Sequence, residues 1–315
     1  MTLPVSGAIS FNAINVELGV AGTTTANINQ ASYRTLAGVP SGTISLSNFY
    51  GKSNTIPFGC ATYTTAGTYS FVVPTGASKI CVVCVGGGGG GYSASTACNA
   101  LGGGGGGLSY TNCIPTTPGE TLTVIVGAAG PAGASGTAGS SSIARGGTTL
   151  VLAQGGVGSS TLTVGAANPG GQAGSGVGAV RNSGGPSGPR TPGSTSGLAS
   201  GGGGAAGYSG TGGTGAGLSA TAGAGGGGAG GNSSGPVGNT QGRGGGGVGL
   251  VVAGASGATP GAGGSGGATS VNRPGGAVGG GSGAHNDSSA VAGTPGGVRI
   301  IYGGVGKTYP NNSAP

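Results

Sequence analysis

Two uninterrupted runs of six glycines, residues 86–91 and 102–107, stand in a chain with 87 Gly and 17 Pro among 315 residues. Glycine loses more backbone entropy on folding than any other residue and has no side chain to bury, so an ordinary hydrophobic core is out of reach over most of this length. Collagen would need Gly at every third position. Gly170, Gly171, Gly174, Gly176 and Gly178 instead step irregularly. Disorder fits no better. A soluble disordered chain carries abundant charge and few apolar residues, whereas here 4% of residues are charged and mean hydropathy is +0.16. Unfolded, such a chain would aggregate, and a compact fold is expected for most of the glycine-rich part.

The formal charge of +7 comes from ten Lys and Arg scattered singly among three acids. No basic cluster with interleaved aromatics is present to grip phosphates, so nucleic acid is not an expected partner. The start, Met-Thr-Leu-Pro-Val, lacks the pattern of a secretory signal, and no run of 18 apolar residues exists, so membrane insertion is not expected. Five cysteines (Cys60, Cys81, Cys84, Cys98, Cys113) leave at least one thiol free or intermolecular, and a Cys98 to Cys113 disulfide stays open.

Chemistry-bearing residues are scarce. With one His and three acids (Glu17, Glu120, Asp287), general acid–base catalysis has little material, and His285 beside Asp287 is the one pair worth checking. Phosphate-loop fragments at 304–308 and 51–53 fail, because Ile301 and Leu46 stand where the first glycine belongs. Cys81-Val-Val-Cys84 has metal-like spacing, but in a strand its thiols point to opposite faces and no second pair follows. The expectation is a non-enzyme with no catalytic residue, metal or cofactor.

The chain divides by composition. Residues 1–56 are poor in glycine, and Phe11, Ile14 and Leu18 step at helical spacing. The run 27–36, ended by Gly38 and Pro40, predicts a second short helix, followed by an apolar close at Phe49 and Tyr50. From Tyr63 the pattern turns to β. Tyr69, Phe71 and Val73 alternate, residues 80–85 form an unbroken apolar run, and further strands are predicted at 108–114, 121–126, 148–152, 161–164 and 298–302. Residues 57–304 thus read as one domain whose first and last strands pair, with glycine segments looping out between them. Residues 305–315 form a tail.

The motifs ISFNAINVELG and INQASYRTLAGVPSGTISLSNFYGKS, within residues 7–53, resemble an N-terminal module of phage tail-associated proteins. The resemblance implies docking on another tail-fibre or baseplate protein through Phe11, Ile14, Leu18, Leu36, Phe49 and Tyr50; the same residues could equally be the module's own core. The segments GTYSFVVPTGASKICVVCVGGGGGG, GGGGGGLSYTNCIPTTPGETLTVIVGAAG and GTPGGVRIIYGG resemble the glycine-rich domain of bacteriophage tail fibres and their distal tip adhesins. That family packs such segments as polyglycine II helices, which implies a mainly β fold with PPII-like glycine helices side by side and a small helical N-terminal module. Such helices have three residues per turn, rise about 3.1 Å per residue and make no internal hydrogen bonds. Each six-glycine run would span roughly 19 Å, with its backbone groups satisfied only by neighbouring segments.

The residues between glycine segments are then turns on a rigid frame, where binding residues commonly sit. Tyr92, Arg181, Asn182, Arg190, Tyr208, Arg243, Arg273, His285 and Asn286 are the candidates for touching a host glycan or outer-membrane protein. The implied function is a virion adhesin released by lysis, either a single chain or a homo-oligomer. The alternatives are a purely structural fibre component, an ice-binding protein, for which no regular Thr or Ala face is evident, and a low-complexity cell-wall protein.

Overall fold

A computed structural model describes residues 3–18, 20–54, 59–92, 101–133, 136–159, 167–189, 200–217, 244–250, 278–283, 291–303 and 308–309. In the N-terminal part, α1 (Phe11–Glu17) starts where the Ser10 hydroxyl accepts the Ala13 N–H, and α2 (Ala31–Ala37) ends on Gly38 at φ 74°. The second helix starts later than predicted. The Asn27 side chain takes the Asn29 N–H, and this local turn competes with helix until Ala31. Leu3, Ile14, Tyr33, Leu36, Ala37 and Phe49 form a core of their own. Beneath it, Asn15 donates to the carbonyls of Gly22 (3.0 Å) and Thr24 (2.8 Å) and accepts from the Tyr33 hydroxyl.

The remainder is mainly β. Its strands are β1 (Gly59–Tyr63), β2 (Gly67–Val72), β3 (Lys79–Val85), β4 (Leu108–Pro115), β5 (Thr121–Val126), β6 (Gly136–Thr137), β7 (Ser141–Arg145), β8 (Thr148–Ala153), β9 (Val157–Gly158), β10 (Val180–Asn182) and β11 (Gly297–Tyr302). A five-stranded antiparallel sheet runs β1-β11-β3-β4-β10, a four-stranded one β2-β5-β7-β8, and β6 pairs with β9. The last strand therefore pairs with the first, Gly59 opposite Tyr302, and also with β3. The two larger sheets enclose Phe71, Val82, Cys84, Leu122, Val124, Ile143, Val151, Val298 and Ile300. The other face of β3 sends Cys81, Val83 and Val85 into a second core with Leu108, Tyr110, Tyr208, Leu250 and Tyr309. The unbroken apolar run from Ile80 to Val85 in β3 is what a strand buried on both faces requires.

Strands predicted at 69–73, 80–85, 108–114, 121–126, 148–152 and 298–302 correspond to β2, β3, β4, β5, β8 and β11. The strand predicted at 161–164 lies outside the described residues, as does Cys98. The glycine segments, however, do not loop out. They run on from the strand ends, residues 86–91 following β3 and 102–107 preceding β4, and every glycine of both runs is buried. A buried peptide group must be paired, and here the pairing is between segments.

Candidate functional site

The glycine segments bond to one another at intervals of three residues. Gly86, Gly89 and Tyr92 donate to Gly107, Gly104 and Leu101 at 2.8–2.9 Å, while Gly88 and Gly91 donate to Thr294 and Val291 at 2.8 and 2.9 Å. The carbonyls of Gly87 and Gly90 accept from Gly156 and Ser159, and those of Gly88 and Gly91 from Gly130 and Gly133. With Gly87 to Gly139 and Ser282 to Gly89, the run 86–91 is bonded to six other segments. The run 102–107 bonds through Gly89, Gly185, Gly203, Gly279, Gln154 and Gly171 to six as well. No side chain fits between such neighbours. A Cβ added at any of Gly86, Gly87, Gly88, Gly89 or Gly90 would lie inside 3.0 Å of a backbone oxygen, those of Gln154, Ala128, Gly280, Val157 and Pro131 respectively.

This block has two ends. One abuts the sheets, where Val85, Leu108 and Gly297 pass into strands. At the other, Tyr92 faces Leu101, Gly91 bonds Val291, Gly133 bonds Gly91, Ser159 bonds Gly90, Gly188 bonds Gly201, Gly201 bonds Ala216, and the Ser200 hydroxyl accepts the Gly102 N–H. The residues flanking 93–100, 134–135, 160–166, 190–199, 218–243 and 284–290 all lie at this far end. Segment 251–277 instead has its flanks, Leu250 and Val278, at the sheet end, where Val248 bonds Val278.

The candidate contact residues are divided accordingly. Tyr92 is half-buried at the far end. Arg190, Arg243, His285 and Asn286 lie outside the described residues, in segments whose flanks are at that same end. Arg273, also outside them, falls in the segment flanked at the sheet end. Arg181 is exposed on β10 and donates to Gly176 at 3.1 Å, while Asn182 donates to the Gly207 (2.6 Å) and Tyr208 (3.3 Å) carbonyls, holding that turn. Tyr208 is turned inward. Its backbone is at a turn, but its side chain is only 6% exposed, packed 5.8 Å from Tyr110 and stacked 5.9 Å from Tyr309, and burial pushes its phenol pKa up.

Among the proposed docking residues, Ile14, Leu36 and Phe49 are buried in the module's own core and Leu18 packs against it. Tyr50 donates to Gly7 at 2.6 Å, and Phe11 is 39% exposed. Exposed Val5, Val16 and Val20, which the sequence reading passed over, join Phe11 as apolar surface. It also missed the outer face of β2 and β5, where Thr68, Ser70 and Val72 lie opposite Ile125, Thr123 and Thr121. That face narrows at β7, whose Ser142 is buried.

Among the described residues, no group of three or more His, Cys, Asp or Glu is placed to hold a metal ion, and no helix is long and apolar enough to cross a membrane. Cys81 and Cys84 enter opposite faces of the sheet, and burial of Cys84 in the inter-sheet core raises its thiol pKa. A family model described as a glycine-rich domain matches residues 64–303. No curated protein matches the chain.

Proposed function

The chain belongs to the glycine-rich domain family, and from that premise we propose that it is a non-enzymatic bacteriophage tail-fibre or tail-tip protein that binds a host surface. The observation that carries the reading is the convergence of six inter-segment flanks on one end of a backbone-packed block, away from the sheets. A frame closed by peptide groups leaves recognition to the residues it displays.

On this reading the block is a bundle of polyglycine II helices. Bonding at every third residue and six bonded neighbours for each six-glycine run support it, because a three-residue turn aims successive peptide groups at different neighbours. Arg190, Arg243, His285 and Asn286, together with Tyr92, form the receptor-facing set of this proposal. Guanidinium, amide and imidazole groups suit sugar hydroxyls or the polar loops of an outer-membrane protein. The module within residues 1–56 attaches to another tail-fibre or baseplate protein through Phe11, Val5, Val16 and Val20, the apolar residues it leaves exposed.

Purified protein at saturation should block adsorption of the phage to host cells, and undiminished adsorption overturns the adhesin reading. One observation favours the purely structural alternative: Asn182 and Tyr208 are engaged internally. Joint replacement of Arg190, Arg243 and His285 by Ala separates the two. The adhesin reading expects lost adsorption with intact particles, the structural one unchanged host range.

A further inference from the structure

The pairing of β3 with β4 slips where Cys81 meets its neighbour. Ile80 lies opposite Ile114 and Val82 opposite Thr111, so both Asn112 and Cys113 face Cys81. Such a bulge inserts one extra residue into a strand. Cys113 absorbs it with a left-handed backbone, φ 56°, and its N–H donates to the Cys81 Sγ at 3.3 Å. The Cys81 sulfur thus lies directly against the Cys113 backbone. Residues facing each other on antiparallel strands have Cα atoms about 4.5–5.5 Å apart, within the ~4.4–6.8 Å that a disulfide spans. Cys84, on the same strand, points into the inter-sheet core and has no such access.

We propose that Cys81 and Cys113 are a redox pair that closes into a cross-strand disulfide when the protein meets a small-molecule disulfide such as oxidised glutathione. Cys113 is exposed and receives the oxidant, while Cys81 is 6% exposed. Burial raises the Cys81 thiol pKa, so the second step quickens as pH rises and more of that thiol ionises. The Cys113 thiolate attacks one glutathione sulfur and expels the other as a thiolate, leaving a mixed disulfide. The Cys81 thiolate then attacks the Cys113 Sγ and expels the second glutathione. Two protein thiols give up two protons and two electrons, and one external disulfide becomes two thiols. The new bond would pin the bulge whose Asn112 holds Tyr309, through Asn112 Nδ2 to the Tyr309 carbonyl (2.8 Å) and the Tyr309 N–H to Asn112 Oδ1 (2.9 Å).

The full chain is equilibrated with oxidised glutathione, its remaining thiols are blocked with N-ethylmaleimide in denaturant, and chymotryptic peptides are sequenced by mass spectrometry. A linked pair carrying Cys81 and Cys113, lighter by two hydrogen atoms than the reduced peptides and with Cys84 alkylated, is expected. The link should persist in Cys98→Ser and vanish in Cys113→Ser. Linkage of Cys113 to Cys98, or full alkylation of both Cys81 and Cys113, overturns the proposal.

Discussion

Replacing Gly89 by Ala tests the close packing of backbone directly. Its φ is ordinary, so the methyl group costs nothing in local conformation and everything in space. The new Cβ would lie inside 3.0 Å of the Val157 carbonyl and the Gly158 nitrogen. Relief needs a shift of roughly an ångström in a segment held on several sides. Gly156 donates to Gly87 at 2.8 Å, Val157 to Pro169 at 2.9 Å, Ser159 to Gly90 at 3.0 Å, and the Val157 carbonyl accepts from Gly104 at 2.9 Å. Losing two of these bonds costs about 1–3 kcal/mol for each buried group left unpaired. Overpacking adds about 1–3 kcal/mol, and the stiffer unfolded chain returns only about 0.4–1 kcal/mol. The net loss is then about 3 kcal/mol or more, a large share of the ~5–15 kcal/mol a folded domain has. Gly174→Ala is the matched control, because nothing stands within 4 Å of its added Cβ and its φ is also ordinary. Urea denaturation followed by tyrosine fluorescence, the chain having nine Tyr and no Trp, compares the two. If Gly89→Ala is no less stable than Gly174→Ala, the backbones are not in the contact described.

Three further perturbations bear on other parts of the chain. Phe49→Ala, removing a fully buried ring, should cost about 3–5 kcal/mol and unfold the N-terminal module, read as faster tryptic cleavage at Arg34 and Lys52; unchanged cleavage contradicts the core assignment. Tyr208→Phe removes a buried hydroxyl without a partner among the described residues, so the denaturation midpoint should hold or rise, and a fall would mean that the hydroxyl is bonded. Glu120 receives Arg145 Nε and Nη2 at 2.9 Å each, and these bonds hold its carboxyl below the usual range. The pair is partly exposed and contributes no more than about 1 kcal/mol. A folded pKa below the unfolded one means that this contribution is present above the ordinary carboxyl range and is lost as pH falls through the depressed value. The stability gap between wild type and Glu120→Gln should therefore close in acid, and a constant gap refutes the pairing.

Strands whose side chains alternate against a core were legible in the sequence. In β5, Leu122, Val124 and Val126 point inward between exposed Thr121, Thr123 and Ile125, and period two reveals this without a structure. β1 and β7 were not legible. The inward Ser141 of β7 accepts the Gly127 N–H instead of making apolar contact, so it left no hydrophobic signature. Nor does glycine record its own neighbours. Nothing in a six-glycine run says that Gly86 meets Gly107 while Gly87 meets Gly139, because that choice is made by the interleaving of distant segments. The candidate site suffered likewise. The turn at Tyr208 was readable, since Gly207 and Gly210 bridge there, but the inward path of the ring depends on Tyr110 and Tyr309. In the N-terminal part, Ile14, Leu36 and Phe49 are apolar whether they face a partner or each other, and only packing assigned them to a core.

The six-neighbour bonding of the glycine runs also bears on temperature. Apolar surface exposed on unfolding raises heat capacity by about 0.45 cal/K/mol per Å², and polar surface lowers it by about 0.26. Segments that meet through peptide groups release amide surface in unusual proportion when they part. The heat-capacity increment per residue should then fall below the ordinary ~12–15 cal/mol/K, leaving a broad, shallow stability curve. A protein fastened in this way gains little from an optimum temperature and loses little on leaving it, in the cold as in the heat.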